Sequence, residues 1–448
     1  MECSTKLINE QELRDSLEKI EPYPLIQQNW EKVQEKIGVD LELTARETKA
    51  IQRMREIRNA KDLLRLNLFY AMSDWGLRLT GAWALICGIG VLSDVAILKR
   101  IRHSHVWLGK LVGMVLANRC AALRSLPGVR LRLLDATCLN QPGSQGTDWR
   151  IHLSFDVGNL CVDRIEVTDR HGGESFARFM PQDNEILIGD GGYAFASGMG
   201  PVLASGAGLV VRINWQNMKV YTPDRQRFQI IPWLKTLSAP CEQAILFETP
   251  QGWFPLRIIA APIPAEKAEM ARRKARERCQ KKQKTVSQET LFAAGFVLLL
   301  TNLSTSIWPT HLVLFLYRSR WQIEILFKRL KSHLHFDHLR AKDPQLAQSY
   351  IFSKLLIALI IDQMIYQVSL IQPDWFISLD HPANLSRLTS YLHESLRQII
   401  FGPWLLNNIS QFLLIMRRYF CDPPRSRPHL LAFARAIFQH VSFSSYGA

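Results

Sequence analysis

Between Val129 and Trp215 the chain changes texture, and this stretch most restricts what it can fold into. Pro127-Gly128 is a turn signal, and VRLRLLDAT then alternates apolar and polar as a half-buried strand. WRIHLSFDV (149–157) and LCVDRIEVTD (160–169) follow as two more strands, joined by a Gly-Asn turn. GESFARFM reads as a short helix. NEILIGDGGYAFASGM reads as a buried strand that ends in Asp190, then Gly-Gly, then a helix; GLVVRINW (208–215) is a further strand. The order β-β-β-α-β-α-β makes a mixed α/β domain.

The flanks differ. Residues 1–130 read as helices, with few Gly or Pro. TGAWALICGIGVLSDVAILKRIRHSHVWL is a helix, a glycine-containing break and a second helix opened by Ser93 as N-cap. Two readings apply. It is a helix-turn-helix whose second helix carries Lys99, Arg100 and Arg102, or it is ordinary helical packing with a wet basic edge. Past residue 216 come short strand-like runs, then AEKAEMARRKARERCQKKQKT, with nine Lys/Arg against three Glu. That run, which contains Arg272 and Arg273, is an exposed helix, either a solvated charged face or a phosphate-binding one. GFVLLLTN (295–302) resumes as a strand. More helices follow to the end, with a basic, proline-broken segment, MRRYFCDPPRSRPH.

A net charge of +15 points to a polyanionic partner, nucleic acid first and an anionic membrane surface second. The eight cysteines are scattered with no CxxC, which argues against zinc and a disulfide framework and fits reduced cytosolic thiols. The acidic N-terminus is expected not to be a signal peptide. Residues 79–98 and 353–371 are apolar, but Asp94 and Asp362 make buried helices a better reading than membrane spans.

One carboxylate then stands out. YRSRWQIEILFKRLKS (317–332) holds Glu324 among five basic residues. On a helix, Tyr317, Arg320, Glu324 and Lys331 fall within a stripe of roughly 60°, beside a core stripe of Ile323, Leu326, Phe327, Leu330 and Leu334. Taken alone this is a surface helix with a Glu324–Lys328 ion pair. Two other carboxylates offer a different account: Asp135, at the end of the first strand, and Asp190, at the end of a later one. Each alone is a common turn or cap residue, and Asp156, Asp163, Asp169 and Asp183 are rivals. Three carboxylates converging without a cation are unfavourable, whereas Mg²⁺ takes carboxylate and phosphate oxygens together.

The spacing Y-x2-R-x3-E-x6-K, met by Tyr317, Arg320, Glu324 and Lys331, resembles the YREK signature of bacterial insertion-sequence DDE transposases. LLDATCL is similar to that family's first-Asp motif and IGDGGYAF to its second, over about residues 125–345. The resemblance implies a ribonuclease H-like mixed-sheet core with a β-rich insertion. The expected division is a helical DNA-binding region at 1–125, core at 126–215, insertion with basic helix at 216–296, core at 297–345 and a helical region at 346–448. It implies that Asp135, Asp190 and Glu324 ligate two Mg²⁺ ions, with Mn²⁺ able to substitute. Tyr317, Arg320 and Lys331 would grip phosphates near the transposon end. Trp253 and Phe296 are candidates for stacking on a flipped base. The expected activity is cut-and-paste transposition on double-stranded DNA, by a homodimer in the bacterial cytoplasm at the nucleoid. A plain metal-dependent nuclease and a non-catalytic DNA-binding relic are the rivals.

Overall fold

A computed structural model describes residues 26–401, except 54, 87–88, 91, 123–127, 183 and 378–381. The basic MRRYFCDPPRSRPH segment and the first 25 residues lie outside the described residues.

Three antiparallel strands come first: β1 (Arg130–Leu139), β2 (Trp149–Asp156) and β3 (Cys161–Asp169). The Gly-Asn turn between β2 and β3 is closed by Asp156, whose Oδ1 accepts the Asn159 N–H at 3.0 Å. After a 3₁₀ helix (Phe176–Phe179), β4 (Glu185–Gly189) pairs parallel to β1, and β5 (Gly208–Arg212) parallel to β4. β5 ends before the expected Trp215. Asn214 takes over as a turn residue, its side chain accepting from Gln216 N at 3.1 Å and its carbonyl from Asn217 N at 3.2 Å. The spatial order β3-β2-β1-β4-β5, with only the first three antiparallel, is the ribonuclease H-like arrangement.

The strands of 216–296 do not build a separate sheet. β6 (Val220–Tyr221), β7 (Cys241–Thr249) and β8 (Gly252–Pro262) are joined to the core through β9 (Phe296–Thr301), giving one nine-stranded sheet in which β9 lies between β5 and β8. Alternation along the strands feeds two apolar layers. Leu133, Ile186, Ile188 and Val210 face one; Leu134, Leu187, Leu209 and Val211 face the other.

The first layer is covered by helices from both ends of the chain. Among the described residues, the helices before β1 include α3 (Ala60–Met72), α5 (Asp94–His103) and α6 (His105–Ala122). They pack against α13 (Pro344–Ile371), a long helix capped by Asp343 with Pro344 in its first turn. This helix is long and apolar enough to cross a membrane, but it lies within the fold, with Leu355, Leu356, Ile357 and Ile360 at most 1 % exposed. Its Asp362 is paired with Arg119 of α6 at 2.9 Å.

The YREK stretch is not one helix. α11 (Thr310–Ser319) and α12 (Trp321–Leu334) meet at Arg320, whose backbone stays helical (φ −51°, ψ −30°). Tight i→i+3 bonds bracket the junction, Arg320 N to Tyr317 O and Ile323 N to Arg320 O, both 3.2 Å. Ser319 Oγ donates back to Leu316 O at 2.6 Å, within the last turn of α11.

Candidate active site

The parallel register of β1 and β4 sets the site. Leu133 is opposite Ile188, the last pair before that ladder ends. Two residues further along each strand direction stand Asp135 and Asp190. They are therefore register equivalents at the same edge of the sheet, and period 2 sets both toward the face of Leu133 and Ile188. The expectation that Asp135 ends its strand is corrected here. β1 runs on to Leu139, because its antiparallel pairing with β2 continues past Asp135 (opposite Leu153) to Leu139 opposite Trp149. What ends just before Asp135, at Leu133, is the pairing with β4. Asp190 does follow directly on β4, and the Gly191-Gly192 turn lets Gly192 N donate to Asp190 Oδ1 at 2.8 Å.

α12 lies across this face, packed on β1, and brings Glu324. The Arg320 guanidinium links the two elements: Nη2 bonds Glu324 Oε1 and Nη1 stands 3.9 Å from Asp135 Oδ2. Glu324 thus pairs backward with Arg320, and no Glu324–Lys328 bridge forms among the described residues. Arg320 also lies over the Tyr317 ring, 5.7 Å from its centroid. Lys331 is two turns beyond Glu324 on the same helix, half-buried.

Burial pushes the Asp135 carboxyl up to about 7; the Ala136 N–H and Arg320 oppose this, and Asp190 and Glu174 add to it. Glu174 is a carboxylate that the sequence left unmarked. It precedes the 3₁₀ helix, and burial followed by the Asp190 charge pushes it up as well. Tyr193, fully buried, has its ionisation pushed up by burial and by Asp135, Glu174 and Asp190 together.

As the side chains lie, no three His, Cys, Asp or Glu among the described residues surround one point at metal-binding spacing. A cation already stands there, since Arg320 occupies the space between Asp135 and Glu324. The hydroxyls of Tyr193 and Tyr317 and the Arg320 Nε are buried without hydrogen-bond partners among the described residues. An oxygen-rich donor set around one internal cation, with orphaned polar atoms beside it, fits hard divalent ions and phosphate.

Beside the Gly191-Gly192 turn is a cleft of about 430 Å³, lined also by Lys219, Tyr221 and Glu248 of the inserted segment. Trp253, on β8, packs edge-on to Tyr221 at 5.0 Å, and Arg225 lies 5.1 Å over it. Phe296 instead starts β9 and packs on Phe292 at 5.5 Å.

The other candidate basic residues are dispersed. Ser93 caps α5 as expected, accepting from Ala96 N at 3.2 Å, while Ile97 and Ile101 are buried. Arg102 pairs with Asp343 at 3.1 Å and donates to Gln345 at 2.9 Å; Arg100 donates to Arg53 O at 3.1 Å; Lys99 is exposed. On the basic helix α9 (Ala265–Lys281), Arg272 bonds Leu291 O at 3.2 Å and Glu269 at 3.3 Å, and Arg273 stands 3.6 Å from Glu277.

Residues 128–360 match the family model for a transposase DDE domain. The chain is 38 % identical over 347 residues to the putative transposase InsL of insertion sequence element IS186A from Escherichia coli (strain K12), covering 75 % of this chain and 94 % of that one. It is likewise 38 % identical over 348 residues to the transposase of IS421 from Escherichia coli, with the same coverage, 75 % and 94 %. A piggyBac transposase synaptic complex with hairpin DNA superposes with a TM-score of 0.45 and 12 % identity, over 88 % of this chain and 84 % of that one. With more than half its length matched to the domain and near-complete coverage of these relatives, the chain belongs to the DDE transposases of bacterial insertion sequences.

Proposed function

We propose that this transposase cuts DNA at its element's terminal repeats and joins the freed 3′-OH ends to target DNA, with Asp135, Asp190 and Glu324 holding two divalent ions. One observation carries this reading. The β1–β4 register sets Asp135 beside Asp190, and a single guanidinium ties Asp135 to Glu324. Mg²⁺, with Mn²⁺ as substitute, would stabilise the attacking and leaving oxygens of an in-line displacement. The chain's own residues do the rest. Arg320, pre-held over Tyr317, forks a phosphate once the carboxylates are otherwise neutralised. Lys331 offers a mobile point charge two turns along, and the Tyr317 hydroxyl, lacking a partner among the described residues, can donate to a phosphate oxygen. The attacking group is water and then the DNA 3′-OH, so no protein nucleophile is required. Arg272 and Arg273, with Lys99, Arg100 and Arg102, would extend the contact with the duplex backbone. Two ends must be held together, which favours a homodimer, at work on the nucleoid in the cytoplasm.

The test uses purified chain, Mg²⁺, DNA carrying the element's own terminal repeats, and a target plasmid. Wild type should cut at the repeats and yield joined product; Glu324→Gln should bind the same DNA and lose cleavage by at least about 10²-fold. A Glu324→Gln protein that cuts as fast as wild type overturns the assignment. Cut ends that never join would identify a nuclease instead.

A further inference from the structure

Glu174 reaches the site from the loop between β3 and the 3₁₀ helix, and the chain leaves a space shaped for it. A Cβ placed on Gly192 would lie 1.9 Å from Glu174 Oε2 and 3.1 Å from Asp190 Oδ1. Any side chain at 192 would therefore collide with the Glu174 carboxylate. Gly192 is not among the residues with positive φ, so its backbone does not itself require glycine. The requirement is room. Two carboxylate oxygens thus crowd the space where a side chain at 192 would begin, and neither Glu174 nor Asp190 has an ion-pair partner among the described residues. Arg150, the nearby cation, commits its Nη1 to Gly172 O at 2.7 Å. Behind them the Tyr193 hydroxyl is fully buried with no hydrogen-bond partner among the described residues.

We infer that Glu174 is a fourth carboxylate of the metal site, strengthening its hold on divalent ions from the Asp190 side, and that Gly192 is glycine to give that carboxylate its place. The inference rests on the reading above, in which Asp135, Asp190 and Glu324 are the ligands. The charge balance supports it. Three carboxylates with Arg320 between them leave two net negative charges, whereas two divalent ions bring four positive ones. A fourth carboxylate closes half of that gap. A supporting acidic residue of this kind is typically worth about 10–100-fold in metal affinity.

Mn²⁺ binding to the full chain without DNA, followed by the loss of the free-ion electron paramagnetic resonance signal, tests this without using activity. Asp190→Asn should abolish the site, Glu174→Gln should weaken Mn²⁺ binding by about 10–100-fold, and both should leave the urea unfolding midpoint near wild type. Gly192→Ala keeps Glu174 in the chain but drives its flexible end away, and should reproduce the Glu174→Gln loss. Wild-type affinity in Glu174→Gln overturns the inference and leaves the three-carboxylate reading standing. Wild-type affinity in Gly192→Ala overturns the role given to the glycine. A wild-type chain whose Mn²⁺ binding is untouched by Asp190→Asn overturns both readings.

Discussion

Arg132→Met should be among the most damaging single substitutions in the core, although Arg132 lies three residues from the candidate site. Its guanidinium is fully buried on β1. Nε lies 3.0 Å from both Ser154 Oγ and Asp163 Oδ2, and Nη1 is 2.9 Å from Glu185 Oε2. Arg130 joins the same cluster, reaching Asp156 at 2.6 Å, Glu185 at 2.7 Å and Asp163 at 3.0 Å. Arg130 and Arg132 together bond all three acids, with Arg164 close enough to act on Asp163 and Glu185. Removing Arg132 leaves Asp163 and Glu185 bonded through Arg130 alone, and breaking a buried pair in this way costs about 3–5 kcal/mol. The sign of the pH dependence follows from Asp163. Burial pushes its carboxyl up even against both arginines, and losing one pushes it higher. A carboxyl that binds its proton more tightly folded than unfolded contributes stability below the unfolded value, near 4, and loses it as pH rises. The deficit of Arg132→Met should therefore be larger at pH 8 than at pH 5. Urea unfolding followed by tryptophan fluorescence at both pH values measures it. A deficit under about 1 kcal/mol at pH 8, or one that shrinks between pH 5 and pH 8, would refute the reasoning.

Further outcomes follow from other contacts. The double variant Arg272→Ala/Arg273→Ala should lower the slope of log affinity for DNA against log salt by about 2; an unchanged slope makes α9 a solvated helix only. Lys99→Ala should weaken DNA binding without altering stability, whereas Arg102→Ala, which loses Asp343 and Gln345, should lower the unfolding midpoint as well; equal stability of the two variants contradicts this. Burial, then Arg178 and Arg150, push the buried His152 imidazole down to about 4. The unfolded chain thus binds that proton more tightly, and its contribution to stability, present above about 6.5, is lost as pH falls toward 4. His152→Gln should flatten the acid side of the stability profile, and an unaltered profile would show that His152 does not govern it.

The element order from β1 to β5 was legible because each strand carries its own period-2 pattern and each turn its own Gly, Pro or Asn. The buried strand leading into Asp190, the Ser93 cap and the exposed α9 were legible for the same local reason. The spacing of Tyr317, Arg320, Glu324 and Lys331 resembled a family signature, and that resemblance carried the expectation of the ribonuclease H-like order. Strand register is not a local property. That β1 runs past Asp135, that Leu133 is set against Ile188, and that 216–296 extend the core sheet all depend on which strands pair, and many pairings satisfy the same alternation. The break at Arg320, beside a serine that bonds back into its own helix, lies within a pattern that reads as continuous. Glu174 left no signal beyond a single acid in a glycine-rich loop. Its place beside Asp190 exists only because the chain returns there and finds at Gly192 no side chain in the way. Sequence thus determined what each segment is. Tertiary structure decided which carboxylates share a space, because that depends on distances between residues far apart in the chain.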